Sequence, residues 1–212
     1  VKGAARCAWI LAIATLLGAG CSIVPAPQPD STRYFILNAV APAGGDQGAM
    51  ASSAEPKLAI GLGPINFPDY LARSEIVTRG TGDEVEVSSN DRWAESLDIT
   101  FKRILSHDLS MVLGGAQIVD FPWFGPPTHL DYRVEPAIDR FEADAQNAAR
   151  LTARWRIIQG TGGQVLYTSS SDISVPAASG NYAAMAAALS QAASEFAGEI
   201  ASAIRRLSAP AE

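Results

Sequence analysis

Apolar residues recur along this chain at two periods, and the switches between those periods divide it into elements. Tyr34-Phe35-Ile36-Leu37 is a short aromatic and aliphatic run, and from Lys57 to Ile65 the side chains of Leu58, Ile60 and Leu62 alternate with smaller residues. Both predict strands. Two more are expected at Ser74 to Arg79 and Glu84 to Ser88, joined by Gly80-Thr81-Gly82-Asp83, whose glycines permit a tight turn. The period then changes. Trp93, Leu97, Phe101, Ile104, Leu105, Leu109 and Val112 recur at helical spacing, with Asn90 or Asp91 available as a cap, so an amphipathic helix is expected up to Gly114-Gly115. Gln117 to Phe121 returns to strand and stops at Pro122, followed by a loop from Trp123 to Thr128. Leu130, Tyr132 and Val134 alternate with polar residues, as do Leu151, Ala153, Trp155 and Ile157, and a further strand runs from Val165 to near Val175. Pro136 falls in the first of these, and because proline lacks the N–H a ladder needs, that strand is expected at an edge or broken there. Tyr182, Leu189, Phe196 and Ala203 then stand seven apart, with Met185, Ala193, Ile200 and Leu207 on the same face. That predicts a long helix packed on the sheet, with Arg205 and Arg206 opposing the negative pole of its dipole. The whole pattern amounts to a single α/β domain, its two main helices, about 91–113 and 181–207, covering a mixed or largely antiparallel sheet.

The opening residues follow neither period. Lys2 and Arg6 precede an apolar run from Cys7 to Leu17, and Gly18, Ala19 and Gly20 stand directly before Cys21. This is the layout of a secretory signal. The run falls short of the ~20 apolar residues that cross a bilayer. The small residues before Cys21 resemble a lipobox, in which the cysteine takes diacylglycerol on its sulfur and an acyl chain on its new amino terminus; Gly18 stands where Leu is usual, with Leu16 and Leu17 one step back. An ordinary signal peptide, leaving a free thiol, is the alternative. The expected division is therefore a signal over 1–20, the lipidated Cys21 with a proline-rich tether over 21–32, and one domain over 33–208. A second loose stretch, Ala41 to Pro56, separates two of the strands. Ser22 replaces the Asp that retains many lipoproteins in the inner membrane, which by resemblance to that sorting rule points to the periplasmic face of the outer membrane.

Composition sharpens this picture. The only cysteines are Cys7 and Cys21, so the domain is expected to fold without a disulfide, on its core alone. Loss of Lys2 and Arg6 with the signal takes the formal charge from −6 to about −8. Such a surface repels phosphate backbones, which argues against nucleic acid as a partner.

Enzyme signatures are scarce. The chain has no G-x-S-x-G elbow, Walker A loop, H-E-x-x-H or C-x-x-C. Gly61-x-Gly63 lacks the third glycine of a dinucleotide fingerprint. His107 and His129 are not spaced as metal ligands and read as solvated histidines, so neither a metal nor a cofactor is expected. Asp91, Glu95 and Asp98 are expected along the first turns of the first helix, where acids stabilise its positive pole.

The distinctive block is Phe67-Pro68-Asp69-Tyr70-Leu71-Ala72-Arg73, then Glu75-Ile76-Val77-Thr78-Arg79, then Arg92-Trp93-Ala94-Glu95-Ser96-Leu97. It resembles the ABC-type transport auxiliary lipoproteins of the PqiC/YmbA-like family. There a proline-tyrosine-leucine turn leads to a strand ending in arginine, and an arginine-tryptophan-alanine-glutamate motif opens the first helix. Proline usually follows that glutamate; here it is Ser96. The resemblance implies a three-layer α/β/α sandwich with a mixed sheet, akin to the amino-terminal domain of TolB. It further implies a non-enzymatic subunit of an MCE-type envelope transport system, docking the MCE-domain protein in intermembrane transport of lipid or other hydrophobic cargo, with ring-like self-assembly. Two readings of the block stay open. Either these residues mainly shape the fold, with Phe67, Leu71, Trp93 and Leu97 in the core and Arg92 pairing with Glu95 across i,i+3, or Tyr70, Arg79, Arg92 and Glu95 form an oligomer or partner surface. Two rival functions are an anchored lipoprotein that itself binds a hydrophobic ligand, and a periplasmic hydrolase using Ser, His107 or His129, and Asp.

Overall fold

The computed structural model describes residues 30–40, 58–122, 129–178 and 180–209. The signal, Cys21 with most of the tether, the Ala41 to Pro56 stretch and the Trp123 to Thr128 loop lie outside the described residues. The strands are β1 (Arg33–Phe35), β2 (Ala59–Leu62), β3 (Glu75–Arg79), β4 (Val85–Trp93), β5 (Gln117–Asp120), β6 (Tyr132–Ala143), β7 (Ala148–Gln159) and β8 (Val165–Pro176). The helices are α1 (Leu97–Val112) and α2 (Tyr182–Ser208), with one short 3-10 turn at Asp69–Leu71.

The eight strands of the described residues join one mixed sheet, with β6 as its spine. Along one edge β6 pairs antiparallel with β7, which pairs antiparallel with β8. Its other edge is shared. Near its start β6 lies parallel to β2, which is parallel to β5. At its end Ala143 stands beside Thr78 of β3, and β3 continues antiparallel to β4 and thence parallel to β1.

This sharing explains Pro136, which the sequence places at an edge or a break and which instead sits inside a continuous central strand. The Val134 carbonyl accepts from Gly63 N–H at 2.8 Å, the Pro136 carbonyl accepts from Asn66 at 3.1 Å, and Ile138 N–H donates to the Asn66 carbonyl at 2.8 Å. The missing proline N–H falls between these partners, where β2 has already left the ladder, so no bond is lost.

The first helix also differs from its expected start. It begins at Leu97 with Ser96 as its cap residue, and Asn90 to Trp93 belong to β4. Sheet hydrogen bonds claim this backbone: Trp93 N–H donates to the Ser74 carbonyl at 2.7 Å and Ala94 N–H to the Phe35 carbonyl at 2.8 Å. Trp93 is buried from the strand, so its helical distance from Leu97 in sequence carries no helical geometry. Of the three acids expected in the first turns, Asp98 alone lies there. At the other end Gly114 takes φ +68°, the left-handed geometry of a helix stop, and Gly115 N–H closes onto the Ser110 carbonyl at 2.7 Å.

On β7, Leu151, Ala153, Trp155 and Ile157 are buried while Arg154 and Arg156 face water, as alternation requires. Phe141 of β6 lies beside Leu151 on that inner face. Phe101 of α1 meets Phe141 edge-on at 4.9 Å, and Phe196 of α2 meets both Trp155 at 6.3 Å and Phe101 at 6.5 Å. The expected mixed-sheet α/β sandwich with two main helices is therefore the fold. Its layering departs from the three-layer α/β/α expectation: both helices share the inner face of β6 and β7 and touch each other, Arg205 reaching the Val112 carbonyl at 3.2 Å, so among the described residues one helical layer packs on the sheet. The outer face of the same strands carries charged side chains.

Candidate functional site

The segment between β2 and β3 crosses the gap that β6 leaves open, and its side chains sort by direction. Phe67 packs on Phe101 at 5.1 Å and Phe141 at 6.2 Å, and Leu71 is buried. With those two residues plugged into the core, Tyr70 between them reaches the outer face. There its hydroxyl donates to Glu142 Oε2 at 2.8 Å. Glu142 alternates with the inward Phe141, and its side chain is 1% exposed. Its Oε1 accepts from Arg79 Nε at 2.9 Å and from Arg140 Nε at 3.1 Å, while Oε2 also accepts from Phe141 N–H at 2.9 Å. Arg79 Nη2 closes the triangle on the Tyr70 hydroxyl at 3.3 Å, with the guanidinium 5.7 Å from the Tyr70 ring centre.

A buried carboxylate is tolerable when its lone pairs are filled by charged donors, and this one has two arginines, a phenol and a main-chain N–H. Burial first, then the Glu142 hydrogen bond, pushes the Tyr70 hydroxyl up to about 12. At neutral pH Tyr70 keeps its proton and serves as a donor. The Glu142 hydrogen bond raises Arg79 further above its ordinary value. The cluster, two guanidinium groups and a phenol on one carboxylate, is a scaffold that fixes Arg79 at the carboxyl end of β3.

The four residues expected to share a surface divide. Tyr70 and Arg79 come together. Arg92 and Glu95 join neither that pair nor one another, because β4 extends through Arg92 and an i,i+3 spacing there is not helical. Arg92 Nη1 instead lies 3.4 Å from Glu75 Oε1 across the β3–β4 ladder. Glu95 accepts from the Thr100 hydroxyl at 2.9 Å and from Arg103 at 3.3 Å, ahead of α1. Trp93 and Leu97 are buried, as the motif core residues are expected to be. Glu142 escaped the sequence reading. Its local signal was an acid two residues from Arg140 on an alternating strand.

Beside the cluster is a cleft of about 340 Å³. Three connections meet there: the β3–β4 turn, the β6–β7 turn, and the link from β8 into α2. Thr78 and Arg79 form one wall, Glu84 and Glu86 the rim of the hairpin, and Ala143, Tyr182 and Met185 apolar surface between them. Asp144, in the β6–β7 turn, is held below its ordinary range: burial opposes this, but the N–H groups of Ala148 and Gln146 and Arg150 Nε at 3.0 Å prevail. A smaller hollow of about 230 Å³ lies by Ile65, Ile99, Lys102 and Phe121. His107 sits 3.2 Å from Asp108, and His129 sits 3.5 Å from Asp131. Among the described residues no group of three or more His, Cys, Asp or Glu is placed to hold a metal ion.

The family model for the ABC-type transport auxiliary lipoprotein component matches residues 40–201. No curated protein matches the chain. Among solved structures, an uncharacterized protein superposes with a TM-score of 0.66 at 17% identity, over 82% of this chain and 98% of its own. A Xanthomonas campestris protein of the DUF330 family superposes with a TM-score of 0.63 at 18% identity, over 80% of this chain and 92% of its own. At these identities the likeness is one of fold.

Proposed function

Because this chain belongs to the family of ABC-type transport auxiliary lipoprotein components, we propose that it is the outer-membrane subunit of an MCE-type transport system. Lipidated at Cys21 and held on the periplasmic face, it docks the MCE-domain protein and thereby supports movement of lipid or another hydrophobic compound between membranes. The family match over residues 40–201 carries this reading. Two observations support it. The sequence before Cys21 has the layout of a lipoprotein signal, and an open cleft with Glu84 and Glu86 in its lining lies beside the Tyr70, Arg79 and Glu142 cluster, which suits recognition of a partner.

Photocrosslinking in cells tests the docking. A crosslinkable residue placed at Arg92 or Thr81 is expected to form an adduct with the MCE protein of the same organism. Absence of an adduct from every surface position would overturn docking. Copurification of a stoichiometric lipid would favour instead a lipoprotein that encloses the cargo itself.

A further inference from the structure

We infer that the cleft at the carboxyl ends of β3 and β6 receives a basic side chain, lysine or arginine, of the protein partner. This rests on the docking reading and names where and how it happens.

Arg79, the one cation among the described lining residues, is held by Glu142 at 2.9 Å, a carboxylate it shares with Arg140 at 3.1 Å. Asp144 is matched by Arg150 at 3.0 Å. Glu84 and Glu86 are exposed on the hairpin rim, and neither has a cationic partner among the described residues. The described lining thus sets three acids, Glu84, Glu86 and Asp144, against the single cation Arg79, an excess of two negative charges. Below them the lining turns apolar, with Ala143 and Met185 each 5% exposed and the Tyr182 ring alongside.

A long side chain with an aliphatic stem and a cationic head matches this gradient from apolar floor to acidic rim. The aromatic ring favours a cation as well. An anionic group would meet Glu84 and Glu86 with Arg79 already engaged. The amino end of α2 does not reverse the preference, because the Asn181 side chain already takes the Ala183 and Ala184 N–H groups at 3.0 and 3.1 Å. The volume, about 340 Å³, suits a side chain and its flanking backbone.

Full-length lipoprotein in detergent, titrated with the periplasmic region of the MCE protein, tests this. The double variant Glu84→Lys with Glu86→Lys breaks no ion pair and is expected to melt like the wild type. It is expected to bind on the order of tenfold more weakly, and with a shallower salt dependence. Glu195→Lys, on the solvent side of α2, is expected to bind as the wild type does. Equal affinity of the double variant and the wild type overturns the cleft as the docking site while leaving the docking reading intact. A wild type that does not bind overturns both.

Discussion

Glu142 holds the outer end of the sheet together with one carboxylate. Removing a partner from a buried ionic group costs more than removing a neutral hydrogen bond, because the remaining charges lose compensation without regaining water. Glu142→Ala is therefore expected to lower unfolding stability by about 3 kcal/mol, and Tyr70→Phe by about 1 kcal/mol, both read from urea midpoints. Equal effects would mean that the carboxylate is not the hub. Tyr70 also predicts an alkaline transition. The unfolded chain ionises it near 10, the folded protein at about 12, so its contribution is complete below pH 10 and is lost as the pH rises through 12. Urea midpoints measured from pH 9 to 12 are expected to fall more steeply in the wild type than in Tyr70→Phe. Parallel curves would count against the raised value.

Two glycines at element ends separate strain from clash. A Cβ at Gly114 would meet nothing within 4 Å, so the cost of Gly114→Ala is the left-handed backbone alone, about 1 kcal/mol. At Gly160, where the β7–β8 turn lies against the segment that enters β6, a Cβ would lie 1.7 Å from the Leu130 carbonyl oxygen. Gly160→Ala must displace backbone and is expected to cost at least about 3 kcal/mol. Thermal melts rank the two, and a milder Gly160 variant would contradict that close approach. The helices obey the same logic of local demand and tertiary supply. Asn181 caps α2 through its own side chain, whereas α1 starts where β4 releases the backbone.

At the scale of the whole molecule, the outer face of β6 to β8 is a ladder of exposed ion pairs, Arg154 with Asp139 at 2.8 Å and Arg156 with Glu135 at 2.7 Å. Each such pair is worth at most about 1 kcal/mol, so the face keeps the sheet soluble more than it stabilises it. No helix among the described residues is long and apolar enough to cross a membrane. If acyl chains on Cys21 are the anchor, at about 0.8 kcal/mol per buried methylene, Cys21→Ser is expected to move the protein from the membrane to the soluble periplasmic fraction. Wild-type protein whose mature amino terminus bears an unmodified thiol by mass spectrometry would end the lipoprotein reading.

What the sequence determined by itself is the set of elements whose signal is local. Alternation in Leu151 to Ile157 and the seven-residue recurrence from Tyr182 to Ala203 place β7 and α2, because one-sided burial imposes its period on whichever residues supply it. The block from Phe67 to Leu97 led to the family by a different route, the resemblance of its motif residues to those of the family. Tertiary structure alone decided the rest. It moved Asn90 to Trp93 into β4, since sheet partners far along the chain took their hydrogen bonds. It set Pro136 inside the central strand, at the one place where β2 had turned away. It joined Tyr70, Arg79 and Glu142, and gathered three remote connections around one cleft, because such contacts are chosen by packing between distant segments and leave no period in either.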